Sequence, residues 1–141
     1  MKKLFSLFCL LGCLFTSTIF TTSSAFALDS QDSISPYMTT IQSSACTISI
    51  SGGTAMPYAQ VRGQAGATKC KIVLTLQKKS GNNWVKFGSW SSSKNASSMS
   101  LSKSKTVSKG NQYRAVATVT VWKNNSSESR TVYSNIARDR K

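Results

Sequence analysis

Between Lys69 and Lys78 the chain alternates: Cys70, Ile72, Leu74 and Leu76 fall on one parity, and Lys71, Thr75 and Gln77 on the other. That period of two belongs to an extended strand with one buried face and one wet face. A one-residue slip would expose four apolar side chains and bury charge, so the register is strongly specified. A second run, 112–122, repeats the pattern with Tyr113, Ala115, Ala117, Val119 and Val121 on one face. From Ala45 onward the period is two almost throughout, and no stretch shows convincing helical spacing.

Shorter runs complete the set. Cys46, Ile48 and Ile50 share a face before the turn residues Ser51-Gly52-Gly53, and Ala59 and Val61 point inward from a strand over 58–63. Residues 79–83 (KSGNN) form a hairpin turn into a strand over 84–90, followed by a polar loop over 91–98. Met99, Leu101 and Val107 supply a short or bulged strand, and a turn over 124–129 leads back into a strand over 130–136. About seven short strands, with turn signals roughly every 8 to 12 residues, predict an all-β, antiparallel two-sheet sandwich.

The segment Lys109-Gly110-Asn111-Gln112-Tyr113-Arg114-Ala115-Val116-Ala117 resembles the "G-x-x-Y" entry to the penultimate strand of immunoglobulin-like and fibronectin type III domains. The resemblance implies an immunoglobulin-like sandwich in which Tyr113 is the tyrosine-corner residue, its hydroxyl bonded back to the preceding corner. The chain departs from those families in two respects: the second strand lacks a core Trp, and Cys46 and Cys70 do not sit where antibody domains place their bridge. The stretches TKCKIVLTLQKKSGNNW and KGNQYRAVATVTVW, with the features of the N-terminus, also resemble small secreted proteins of Gram-positive, clostridia-like bacteria. That resemblance implies no particular activity.

The N-terminus reads as a secretory signal peptide over 1–27. Lys2 and Lys3 form the basic n-region, 4–20 an apolar stretch, and Ala25-Phe26-Ala27 an A-x-A cleavage site. One alternative is a membrane-spanning anchor, against which Ser6, Gly12, Thr16, Ser17 and Thr18 dilute the apolar stretch. Another is lipidation, since Leu10-Leu11-Gly12-Cys13 resembles a lipobox and an acyl chain on Cys13 would hold the protein at a membrane. Cleavage would leave a flexible leader over 28–44, a sandwich over 45–137 and a basic tail over 138–141. No transmembrane segment would remain, and the expected location is extracellular, with cell-wall association as a further expectation.

Cleavage would also simplify charge and redox. The chain has a net charge of +14, and losing Lys2 and Lys3 brings it to +12, with Asp29, Asp32, Glu128 and Asp139 as its acids. A small domain so charged attracts anionic polymers and lipid surfaces, and binds nucleic acid without sequence preference. Cys9 and Cys13 leave with the signal, and in an exported chain the remaining Cys46 and Cys70 pair by default. A loop of about 25 residues closed in this way would add roughly 3 kcal/mol of stability.

Catalysis is poorly provided for. The chain has no histidine, which removes Ser-His-Asp and Cys-His arrangements, and its acids are too scattered for the paired carboxyls of glycoside hydrolysis. No Cys-x-x-Cys completes a metal site, and no cofactor is implied. The expected function is therefore a monomeric, non-catalytic binding module for an anionic extracellular or cell-envelope ligand: a wall polymer, anionic glycan or lipid surface. The alternatives are a bacteriocin-like toxin acting on membranes and a stand-alone carbohydrate-binding module.

The candidate ligand-binding residues are Trp122, Lys123, Arg114, Trp90, Lys71, Lys103 and Lys105. Trp122 has the parity opposite to Val121, which puts it outside next to Lys123, as a binding anchor would be. Each Trp has two readings, a flat ring presented to a ligand or a large side chain filling a small core, and Trp84, just after a hairpin turn, suits the second. Lys71 faces away from the core, and Lys103 and Lys105 share a face if their segment is extended. The lysines also have a plainer role as solvated residues that blunt edge pairing.

Overall fold

The structure is a computed structural model, and it describes residues 40–140. The signal segment, the lipobox at Cys13, the leader as far as residue 39 and Lys141 of the tail lie outside the described residues.

Eight strands follow one another: β1 (Ile41–Ser51), β2 (Thr54–Gly63), β3 (Ala67–Ser80), β4 (Asn83–Lys94), β5 (Ser98–Ser102), β6 (Lys105–Thr106), β7 (Gln112–Lys123) and β8 (Ser126–Arg138). They form two antiparallel four-stranded sheets. The smaller has the order β1-β2-β5, with β6 also pairing β2, and the larger has the order β4-β3-β7-β8. The chain crosses between sheets at β2–β3, β4–β5 and β6–β7, an immunoglobulin-like sandwich arrangement.

The turns follow from their residues. Ser51 pairs with Thr54 around Gly52 and Gly53, whose φ angles of 55° and 72° suit the two-residue hairpin matching strand twist. Ser80 pairs with Asn83 around Gly81-Asn82, with Gly81 at φ 56°. Pro57 explains why β5 and β6 are separate: its carbonyl accepts Lys103 N–H at 3.1 Å, and it has no N–H to continue that ladder.

The core is the inner face of both sheets. Ile72, Leu74 and Leu76 of β3 lie beside Val119, Ala117 and Ala115 of β7, large against small, and all are fully buried. Tyr113 is fully buried as well, and its hydroxyl accepts the Ser108 N–H at 3.1 Å, which ties the β6–β7 connection to the start of β7. Its ring stands 5.6 Å from that of Phe87.

β1 begins at Ile41, inside the stretch read as leader, because a distant carboxylate holds it. Glu128 of β8 accepts the N–H groups of Thr40 at 2.9 Å and Ile41 at 3.1 Å. Two unpaired donors at the start of a strand are thereby satisfied across the sandwich. β4 is also longer than expected, since Ser91, Ser92 and Ser93 pair with Val73, Ile72 and Lys71.

The expected 46–70 disulfide is not present: Cys46 and Cys70 are free, buried thiols. β1 packs across from β7 and β8, whereas β3 lies under β2 and β5, so inward residues of β1 and β3 do not meet. A bridge needs Cα atoms within about 7 Å of each other. Burial pushes the Cys46 thiol from 9.0 up to about 11 and raises that of Cys70. Deprotonation therefore favours the unfolded chain, so this stabilisation is complete below pH 9 and is lost as pH rises towards 11. Unfolding free energy should fall more steeply over that window in the native protein than in Cys46→Ala. Alkylation without reductant should label both cysteines only in denaturant, and a disulfide-linked peptide would contradict this arrangement.

Candidate functional site

The outer face of the larger sheet is what β3 and β7 leave exposed once their apolar residues are buried. Its rows run across the strands. Lys69 pairs with Trp122, Lys71 with Ser93 and Thr120, Val73 with Ser91 and Thr118, Thr75 with Ser89 and Val116, and Gln77 with Lys86 and Arg114. β8 continues these rows with Ser127, Ser129, Thr131, Tyr133 and Ile136. The middle is a band of hydroxyls joined in pairs: Thr75 with Ser89 at 3.3 Å, Thr118 with Thr131 at 3.4 Å, and Thr120 with Ser129 at 2.7 Å.

Two bulges build one end of this face. Gln77 pairs with Lys86 while Leu76 pairs with Gly88, so Phe87 is an extra residue on β4. The extra residue reverses the facing of what precedes it: Trp90 packs against the core, whereas Trp84, of the same parity, sits outside opposite Lys79. On β8, Ser134 and Asn135 together oppose Ala115. Tyr133 and Ile136 consequently share the outer face, 59% and 57% exposed.

Arg114 is the centre of that end. Its guanidinium lies 4.4 Å from the Trp84 ring centroid and 5.1 Å from that of Tyr133, and its Nε donates to Gln77 Oε1 at 2.7 Å. Lys79 Nζ stands over the other side of the cluster, 5.1 Å from the Trp84 ring. Stacking and the Nε bond fix the plane of the guanidinium, leaving its Nη groups for an outside acceptor. At the far end, Lys69 Nζ is 5.1 Å from the Trp122 ring.

The electrostatics are one-sided. Glu128 and Asp139 are the acids among the described residues; the first is half-buried on the β1 backbone and the second is buried. Lys69, Lys71, Lys79, Lys86, Arg114 and Arg138 all belong to outer-face rows, and no acid does.

The structure brings Arg114, Trp122 and Lys71 onto this face, with Lys123 at the end of β7 beside Trp122. It separates the others. Trp90 turns to the core, Lys103 is exposed between β5 and β6 on the smaller sheet, and Lys105 of β6 reaches over the Phe87 ring at 5.0 Å. Lys71 and the Lys103/Lys105 pair therefore belong to different sheets. Lys69 and Lys79, from the basic clusters Lys69-x-Lys71 and Lys78-Lys79, and Gln77, which the alternation sets on the outward parity, join the face although none is among the candidate ligand-binding residues. Their strand parity with Lys71 was the available signal.

Among the described residues, no group of three or more His, Cys, Asp and Glu could hold a metal ion, and no helix is long and apolar enough to cross a membrane.

No protein-family model matches the chain, and no curated protein sequence matches it. Among solved structures, it is similar to CsgH of R. palustris, with 12% identity and a TM-score of 0.38 over 64% of this chain and 91% of that one. It is similar also to the Bacillus subtilis sporulation control protein Spo0M, with 8% identity and a TM-score of 0.33 over 65% of this chain. The match spans 48% of the sporulation protein's length. Likenesses this distant carry no argument about function.

Removing the Arg114 side chain takes the cation from between two rings and leaves Gln77 without its partner. Arg114→Ala should lower unfolding free energy by about 1–2 kcal/mol and shift the Trp84 emission. Arg114→Lys should recover only part of both, and full recovery would show that charge alone, without stacking, accounts for the cluster.

Proposed function

We propose that this protein is an exported, monomeric, non-catalytic module that binds an anionic extracellular or cell-envelope polymer on the outer face of its larger sheet. The observation that carries the reading is the sign of that face: its rows hold lysines and arginines, and neither acid among the described residues lies in them. A polyanion laid across it would meet the guanidinium of Arg114, the ammonium groups of Lys69, Lys71 and Lys79, and hydroxyl donors between them. Charge of one sign over a flat surface attracts a polyanion by releasing its counterions. Trp84, Tyr133 and Trp122 add ring surfaces on which sugars or lipid headgroups can rest.

The absence of histidine from the chain and the engagement of Glu128 with the backbone at the start of β1 support binding without catalysis. The hydroxyl band favours a polymer carrying hydroxyls of its own, such as a wall polymer or anionic glycan, over a bare lipid surface.

Binding to purified teichoic acid should be measurable at low salt and weaken steeply as salt rises. Replacing Lys69, Lys71, Lys79 and Arg114 by Gln should weaken it by about tenfold or more, against less than about threefold for Gln at Lys103, Lys105 and Lys109. Equal losses in the two sets would replace a binding face by diffuse charge. Dye release from anionic vesicles would favour a membrane-active toxin instead.

A further inference from the structure

The smaller sheet carries a different feature on its own outer side. A groove of about 560 Å³ is lined by Tyr58, Gln60 and Arg62 of β2, Ser98 and Ser100 of β5, and Lys94 at the end of β4. Its volume lies within the range of small-molecule sites, about 300–1,000 Å³. Ala59 and Val61 go into the core, which leaves Gln60 beside Ser100 and Arg62 beside Ser98 facing out.

The wall is held in place from beneath. Gly63 N–H donates to Ser97 O at 2.7 Å, drawing the β4–β5 connection against the end of β2, so that Lys94 of the larger sheet lines a groove of the smaller. Gly63 permits that approach, since a Cβ there would stand 3.2 Å from Ser97 O and would also crowd Ala67 Cβ at 2.5 Å and Val121 Cγ1 at 2.8 Å. Within the groove, the Tyr58 hydroxyl donates to Gln60 Oε1 at 3.0 Å. One of the amide oxygen's two lone pairs is thus taken, and its NH₂ donors are left over.

The result is a site rich in donors, with a guanidinium, an ammonium, an amide NH₂ and serine hydroxyls, and with no carboxylate in its lining. Its complement is a ligand that is anionic and rich in acceptors. A bare phosphate would occupy the two cations and leave the rest of the groove unused. We propose that the groove binds a short carboxylated saccharide, with Arg62 and Lys94 holding a uronic-acid-type carboxylate and Gln60, Ser98 and Ser100 pairing with ring hydroxyls. This rests on the reading that the protein binds an anionic polymer, and it names the kind of unit recognised on the side opposite the Arg114 face.

Calorimetry with trigalacturonic acid tests it. The purified protein should bind this probe, and neither the uncharged galactose trisaccharide nor inorganic phosphate should bind or compete at equal concentration. Arg62 and Lys94 are exposed, so the double variant Arg62→Gln/Lys94→Gln should keep its thermal midpoint while binding about tenfold or more weaker. Lys109→Gln, at an exposed lysine outside both the groove and the Arg114 face, should bind as the native protein does. Failure of the native protein to bind, undiminished binding by the groove variant, or equal binding of the neutral sugar would overturn the proposal. Teichoic acid binding separates the two levels: if it persists while trigalacturonic acid fails, only the groove is refuted, and if both fail, the broader reading falls with it.

Discussion

The pairing of β3 with β7 decides the rest of this molecule. On their inner face Ile72, Leu74 and Leu76 interlock with Val119, Ala117 and Ala115 without exposure to water. Shifting either strand by one residue would exchange those side chains for Lys71, Thr75 and Gln77, or for Arg114, Val116 and Thr118, at a cost of several buried apolar groups. The outer face is therefore a consequence of the core. Whatever β3 and β7 do not bury, they display in fixed rows.

The two acids among the described residues follow the same logic. Glu128 closes the open end of β1 by taking the Thr40 and Ile41 N–H groups, and Asp139 is buried at the end of the fold. Neither lies in the outer-face rows of the larger sheet, so among the described residues the charge of that face has one sign. Arg114 is held by more contacts than the lysines of this face. With Trp84 and Tyr133 against its guanidinium and Gln77 on Nε, it gives up rotamer freedom on folding, so a ligand need not supply that ordering free energy later.

Much of the sandwich could be read from the sequence because its long strands obey a period of two. Cys70, Ile72, Leu74 and Leu76 point inward as their alternation requires, and Trp122 lies opposite Lys69, on the side away from Val121. What could not be read depends on single extra residues and on contacts across the sandwich. Trp84 and Trp90 share a parity, and only the insertion of Phe87 into β4 sends one out and the other in. Tyr133 and Ile136 differ in parity, and the Ser134-Asn135 bulge brings them together. The thiols of Cys46 and Cys70 share one core, but the stacking of β1 over β7 and β8 keeps them apart. The start of β1 depends on Glu128, 88 residues away from Thr40.

In the proposed binding mode a register-defined face, and not positive charge spread over the whole domain, meets the anionic polymer. Amide and indole chemical shifts recorded while polyphosphate is titrated in would test it most directly, since this probe has charge but no sugar. The account predicts that the Trp84 and Trp122 indoles and the amides around Arg114, Lys71 and Lys79 shift together and saturate, while those around Lys103 and Lys109 stay nearly still. Shifts of similar size around every lysine, with no common saturation, would contradict it.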